Sequence, residues 1–360
     1  MEYIFDDVLE IKNGKNQKAV ENPAGQYPIY GSGGVMGYAD EYICDADTVI
    51  IGRKGSINNP IYVAEPFWNV DTAFGLSAKK EYLLPKYLFY FCKKFDFEKL
   101  NKTVTIPSLT KSDLLKIKID LPDKEEQQTV IDKLSKIESI ITHRKQELTV
   151  LDDLIKARFV EMFGHQSHNE KGLSYETIDD VADIYLGITH TPNYVDSGVM
   201  FISAKNTSRD FLDLCDVKYI SREEFETAPK GAKPLKGDVL FSRVGSNLGH
   251  PVILEDDIEL CTFVSLGFLR TKGRVTNNYL KHWMRDDFFA EQVSSHVKGG
   301  GQPNLNTGWL KEFKIIVPDI EAQIAFDGFC DRVDKSKVAV QRALDKTQLL
   351  FDSLMQEYFG

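Results

Sequence analysis

Two stretches set an arginine, a glycine and a serine at one spacing: Arg53-Lys54-Gly55-Ser56 and Arg243-Val244-Gly245-Ser246. A guanidinium offers forked donors to guanine or phosphate, hydroxyl and ammonium groups suit phosphate, and glycine lets a backbone approach closely. Turns of the same chemistry recur in both halves of the chain. The first half has Lys15-Asn16 and Lys102-Thr103, and the second has Lys205-Asn206, Asn247, Lys298 and Gln302. Each of these residues taken alone also suits a plain solvated loop. The paired recurrence of Arg-x-Gly-Ser singles that motif out as a candidate for DNA contact.

Bond-breaking chemistry finds little support. Asn59-Pro60-Ile61-Tyr62 resembles the Asn-Pro-Pro-Tyr loop with which amino-methyltransferases hold a flipped adenine, but Ile61 replaces the second proline. Gly31-Ser32-Gly33-Gly34 lacks the strand-turn-helix frame of a methyl-donor site. Pro122-Asp123 and Pro318-Asp319 are not followed by the acidic residue and lysine of a metal-dependent nuclease. His165 and His168 sit in a polar stretch, read here as having no carboxylate or cysteine ligand nearby. No Walker-type loop occurs, so the expectation is a chain without catalytic residues, metal or cofactor of its own.

These loops must be held by elements, and the elements repeat. Residues 107–164 match 303–360 at a constant offset, with 14 identities in 58 columns, where composition alone gives roughly three or four. The matches include Pro107 with Pro303, Pro122-Asp123 with Pro318-Asp319, Gln127 with Gln323 and Phe163-Gly164 with Phe359-Gly360. Each copy predicts a strand stopped by proline and then a helix free of internal proline. In the first, an apolar seam runs through Val130, Leu134, Ile137, Ile141, Leu148, Leu151, Ile155 and Met162, with Arg144 and Arg158 filling the heptad steps. In the second it runs through Phe326, Cys330, Val333, Val340, Leu344, Phe351, Leu354 and Tyr358, interrupted by Lys337 and Thr347.

Two helices of about 37 residues, roughly 55 Å long each, most simply bury these seams against each other. The alternative is that each packs on its own globular half. Preceding the repeats, 1–106 and 173–302 read as β-rich segments, with strands expected at 48–52 and 61–63 and a helix opened by Pro85. Gly237–Gly245 lies over Asp47–Gly55, so both segments are expected to share one fold. The division is therefore 1–106, 107–164, a polar linker 165–172, 173–302 and 303–360. The class is α+β: two α/β domains, each followed by a long helix, the helices pairing as an antiparallel coiled coil with pseudo-twofold internal symmetry.

Composition limits the partners. The net charge is −10, and no segment is basic overall, which argues against a tight DNA binder acting alone. The five cysteines are scattered without a Cys-x-x-Cys pair, and neither a signal pattern nor a membrane-length apolar run occurs. A cytoplasmic protein with no membrane partner is expected.

The two Pro-x-Leu-x-x-x-x-Leu copies, Pro122-Asp123-Lys124-Glu125-Glu126-Gln127 and Pro318-Asp319-Ile320-Glu321-Ala322-Gln323, together with Gly300–Asn306, resemble signatures of the specificity subunit of type I restriction-modification systems. Ala322 departs mildly from the pattern, which has Glu. The resemblance spans essentially the whole chain. It implies that 1–106 and 173–302 are target recognition domains, each reading one half of a bipartite site in double-stranded DNA; the repeated Arg-x-Gly-Ser motif then gives the expectation that Arg53 serves one half and Arg243 the other. It implies modification subunits, two of them, that carry S-adenosylmethionine and methylate adenine, and restriction subunits that use ATP and Mg. A helical spacer of roughly 55 Å compares with one to one and a half turns of B-DNA. A non-DNA coiled-coil scaffold presenting two ligand-binding domains is the other reading.

Overall fold

The computed structural model describes residues 1–101, 107–245, 247–296 and 304–360. It divides into two compact units, one formed by Met1–Gln146 with Val340–Gly360 and the other by Glu147–Ala339. The units cut across the sequence repeat, because each takes the beginning of one long helix and the end of the other.

In the first unit, β1 (Glu2–Ile4) leads into a single turn, α1 (Phe5–Val8), and then β2 (Leu9–Asn13), β3 (Tyr27–Gly31), β4 (Gly34–Ala39), β5 (Thr48–Gly52), β6 (Ile61–Val63), β7 (Trp68–Asn69) and β8 (Ala73–Ala78). A sheet of order β2-β8-β5-β6 carries the core, and a second sheet of order β4-β3-β7 stands beside it. All five residues of β5 are buried, as an unbroken Val-Ile-Ile run inside a sheet requires. Helix α2 (Pro85–Lys94) follows, with Pro85 in its first turn. Next come the short α3 (Lys111–Leu114) and β9 (Lys118–Asp120), which pairs antiparallel with β1. Helix α4 (Lys124–Phe163) closes the first repeat copy.

The second unit repeats this plan. β10 (Tyr175–Thr177) leads through α5 (Ile178–Val181) to β11 (Ala182–Leu186), then β12 (Tyr194–Val195), β13 (Val199–Ile202) and β14 (Lys218–Ile220). After α6 (Arg222–Thr227) come β15 (Val239–Ser242), β16 (Pro251–Ile253), β17 (Leu260–Thr262) and β18 (Leu266–Thr271). Helices α7 (Asn277–Trp283), α8 (Asp287–His296) and α9 (Thr307–Glu312) precede β19 (Lys314–Ile316), which pairs with β10, and α10 (Ile320–Phe359). The sheet β11-β18-β15-β16 matches β2-β8-β5-β6 strand for strand, and the second sheet again contains one parallel pair, β13 with β17 as β3 with β7. An added edge strand, β12, covers β14 here.

The long helices pair antiparallel within each unit. In the first, Lys133 donates to the Tyr358 hydroxyl at 3.1 Å, and Arg144 donates to the Ala343 carbonyl and the Thr347 hydroxyl. In the second, Lys337 meets Asp152, and the Phe159 and Phe326 rings lie 5.5 Å apart. Of the seam, Leu134, Ile141, Ile155, Val333, Leu344 and Phe351 are buried, and Ile137, Leu148, Leu151, Val340 and Leu354 are half-buried. The polar interruptions Arg144 and Thr347 satisfy each other, which fixes register as buried polar pairs in helical seams do. The helices also pack on the globular segments, so the two sequence alternatives hold together.

One glutamine in each repeat copy does that anchoring. Gln127 is fully buried; its carbonyl accepts the Leu84 amide at 2.9 Å, and its amide donates to Tyr82 and Pro122 carbonyls at 2.9 and 3.0 Å. Gln323, equally buried, accepts from the Thr276 amide at 2.9 Å and donates to Arg274 and Pro318 carbonyls at 3.2 and 2.8 Å. Leu84 and Thr276 immediately precede α2 and α7, whose first amides lack helical partners. The repeated glutamine thereby ties the first turn of each domain helix to the start of a long helix.

The stretch 165–172 is not a free linker. Gln166 is fully buried beneath Tyr279 and Ile316, and its carbonyl accepts from the Tyr175 hydroxyl at 2.7 Å.

Candidate nucleic-acid interface

Four loops of the first unit gather where the sheets end: 14–18 after β2, the β3–β4 turn, 53–56 after β5 and 70–72 before β8. Backbone bonds hold them. Gly14 donates to Ala73 at 3.2 Å, Lys15 to Asn69 at 2.8 Å and Val70 to Tyr30 at 3.0 Å. Gly14 is required by close approach, since a Cβ there would lie 1.8 Å from the Val70 carbonyl oxygen. Arg53 donates to Thr72 at 2.8 Å and accepts from Leu109 at 2.9 Å, so its loop is fastened both to the turn before β8 and to the start of the repeat. Gly55 has φ +79°, which glycine adopts without strain.

The second unit builds the same cluster. Ile188 donates to Thr262 at 2.9 Å, Ala204 to the Ser265 hydroxyl at 3.2 Å and Arg243 to the Ser265 carbonyl at 2.9 Å. Arg243 accepts from Leu305 at 2.8 Å, as Arg53 does from Leu109. Gly187 sits where a Cβ would meet the Thr262 carbonyl at 2.2 Å, and Gly245 has φ +95°. The isolated bridges Lys54 with Ser108 and Val244 with Asn304 complete the correspondence.

The side chains differ between the copies. Lys15, Asn16, Arg53, Lys54 and Ser56 are exposed. The Arg53 guanidinium lies 5.9 Å from the centre of the Phe74 ring and makes no hydrogen bond or ion pair to any described residue. Asn16 accepts the Lys18 amide at 2.9 Å, a local turn that leaves its own amide group outward. In the second unit Lys205 is exposed but paired with Asp216 at 2.9 Å, and Asn247 is exposed.

Two expected contact residues have side chains already bonded within the protein. Asn206 is 3 % exposed; it caps its own turn by accepting from Ser203 at 3.0 Å and donates to Asp213 and Asp216 carbonyls at 3.0 and 3.3 Å. Arg243 is half-buried. Its guanidinium donates to the Leu305 carbonyl at 3.2 Å, the Val264 carbonyl at 2.9 Å and the Asn304 side chain at 3.4 Å, and burial pulls its pKa below the ordinary value. Neither presents a free polar fork. Lys102, Thr103, Ser246, Lys298 and Gln302 lie outside the described residues.

The sequence missed other members of the cluster. Gly31–Gly34, set aside as a methyl-donor turn, is the β3–β4 hairpin turn, and Ser32 lies beside Gly52 at the root of the Arg53 loop. Asp71-Thr72 and Phe263–Ser265 receive the arginine loops, a role with no residue-type signature. His165 does have a carboxylate neighbour, Glu170, at 2.9 Å. Among the described residues no group of three or more His, Cys, Asp or Glu could hold a metal ion, and no helix is long and apolar enough to cross a membrane.

Comparison with known proteins follows the same two-fold plan. The family model described as the type I restriction modification DNA specificity domain matches residues 2–150 and again 174–346. The specificity subunit of the type I restriction enzyme MjaVIII of Methanocaldococcus jannaschii is 22 % identical over 333 residues, covering 85 % of this chain and 78 % of that protein. The S subunit of a type I restriction-modification system from M. genitalium superposes with TM-score 0.63 at 16 % identity, over all of this chain and 96 % of the other. A chain from a structure of type I restriction-modification complex assembly and conformational transition gives TM-score 0.59 at 16 % identity, over all of this chain and 97 % of that one. Specificity subunits are generally non-catalytic. The matches on both halves place this chain in the type I restriction-modification DNA specificity family, as a DNA sequence specificity subunit.

Proposed function

We propose that this chain reads a bipartite site in double-stranded DNA, one half through 1–106 and the other through 173–302, while 107–164 and 303–360 hold the two readers and receive the enzymatic partners. The observation that carries this reading is the loop cluster built twice on one backbone plan, fastened each time to the first residues of a repeat copy. Two modification subunits supply S-adenosylmethionine and methylate an adenine flipped out of the duplex, and restriction subunits supply ATP- and Mg-dependent cleavage. The chain itself contributes recognition. Its net charge of −10 fits a binder whose partners complete the phosphate clamp.

The test is to co-express the chain with its modification subunit in a methylation-free host and map modified adenines by single-molecule sequencing. The expected result is a two-part motif with a fixed gap, of which one part alone changes when 173–302 is exchanged for the segment of a relative. Soluble, associated proteins that neither methylate nor bind duplex DNA would support the non-DNA scaffold instead.

A further inference from the structure

Arg53 and Arg243 occupy one position of a repeated motif on one backbone frame, yet their side chains are used differently. Each donates its amide to the turn before the last sheet strand and accepts from the leucine that starts the repeat, and each precedes a glycine of positive φ. From this contrast, and resting on the bipartite reading above, we infer that the pair has divided its labour: Arg53 contacts DNA, whereas Arg243 is a positioning residue that holds the second recognition loop in place.

The Arg53 side chain is exposed, makes no hydrogen bond or ion pair to a described residue, and lies over the face of Phe74. A guanidinium resting on an aromatic ring keeps its donors outward and loses less freedom on making a forked contact. Exposed Lys54 stands on the same loop and exposed Lys15 on the neighbouring one, opposed by exposed Asp71 of the turn before β8. The first cluster is therefore locally cationic in a chain that is acidic overall. In the second, Lys205 is neutralised by Asp216. Arg243 joins three separate segments, its own loop, the turn at Val264 and the repeat start at Asn304-Leu305. A planar fork can bridge all three; a lysine ammonium, a single point donor, cannot. The two half-sites are thus read with unequal reliance on charge.

The experiment uses the complex with the modification subunit and a duplex carrying the mapped site, together with duplexes in which either half is scrambled. Dissociation constants are measured between about 50 and 200 mM salt, with the active fraction of each preparation titrated. Arg53→Ala is expected to weaken binding; a salt slope lowered by about one and restored by Arg53→Lys places the contact on phosphate, and an unchanged slope with lost discrimination at the first half-site places it on a base edge. Arg243→Ala and Arg243→Lys should both leave the slope unchanged and reduce discrimination at the second half-site by about tenfold or more, a loss of order one bidentate base contact. Asn304→Ala, which removes one partner and leaves the arginine, keeps the test usable if Arg243→Ala fails to fold, and should give a smaller loss of the same kind. A salt slope lowered by about one in Arg243→Ala, or unchanged binding and slope in Arg53→Ala, overturns the assignment. If the wild-type complex recognises no bipartite site, the functional reading falls and this inference with it; if it does and the slopes come out reversed, only this inference falls.

Discussion

The Phe163 ring stands edge-on to the Tyr279 ring with centroids 4.9 Å apart, and Phe359 meets Tyr87 in the same way at 5.0 Å. The last aromatic of each repeat copy thus packs against the tyrosine near the start of α7 or α2. Phe163 is 1 % exposed, so Phe163→Ala is expected to cost about 3–5 kcal/mol. The loss should appear as faster hydrogen exchange in α7, with α2 unaffected. Phe359 is only partly buried, and Phe359→Ala should cost less and act on α2.

The buried glutamines give a second, sharper test. Gln127→Leu keeps the volume but strands the Leu84 amide and the carbonyls of Tyr82 and Pro122. Each stranded group costs about 1–3 kcal/mol when buried. Exchange at the first turn of α2 should quicken at least tenfold, and Gln323→Leu should do the same at α7. Equal protection in wild type and variant would show that water replaces the amide without loss.

Leu154 and Leu350 are equivalent in the two repeat copies and both lie off the seam, 46 % and 51 % exposed. With exposed Val150 one turn from Leu154 and exposed Leu349 beside Leu350, each copy leaves an apolar spot uncovered, which fits docking of one partner per copy. On the two-subunit assembly proposed above, Leu154→Asp and Leu350→Asp should each remove one modification subunit from the complex, read by native mass spectrometry, and the double variant should remove both. Full occupancy in the double variant would place the docking surface elsewhere.

Asp327 carries a pH dependence. Burial raises its pKa to about 6, partly opposed by the Thr276 hydroxyl donating to it at 2.9 Å, and Asp331 adds to the rise. Because the folded form holds the proton more tightly than the unfolded chain, stability is gained as pH falls through about 6 and lost as pH rises through it. Asp327→Asn removes the titration. From pH 5 to pH 7 the wild type should lose more urea resistance in the second unit than the variant does; parallel losses would contradict the buried, protonated carboxyl.

The repeat, the seam and several strands were legible because they rest on periodicity and spacing. The strands at Thr48–Gly52 and Ile61–Val63 fall where short apolar runs bounded by turn residues put them. Arg144 and Thr347, visible only as interruptions of two heptad patterns, prove to be partners. What stayed hidden depends on long-range partners. Arg243 has the same local sequence signature as Arg53, but the carbonyls that occupy it belong to Val264 and Leu305, far along the chain. Asn206 likewise looks like a turn amide until its burial is seen. Residue type states which bonds a side chain can make, and only the fold states which are already made.

The exchange of helix ends also sets an order of events during synthesis. The first unit includes Val340–Gly360, which follows the whole second unit in the chain, so its cover over Tyr87 and Tyr90 is made only after all of the second unit has been synthesised. Until then the N-terminal domain carries an open apolar face, and its completion waits on closures that each span well over two hundred residues, the slow kind of contact in folding. A nascent chain stalled or cut before that point presents this face to chaperones and proteases, so the cell can discard a half-made reader before it ever meets DNA.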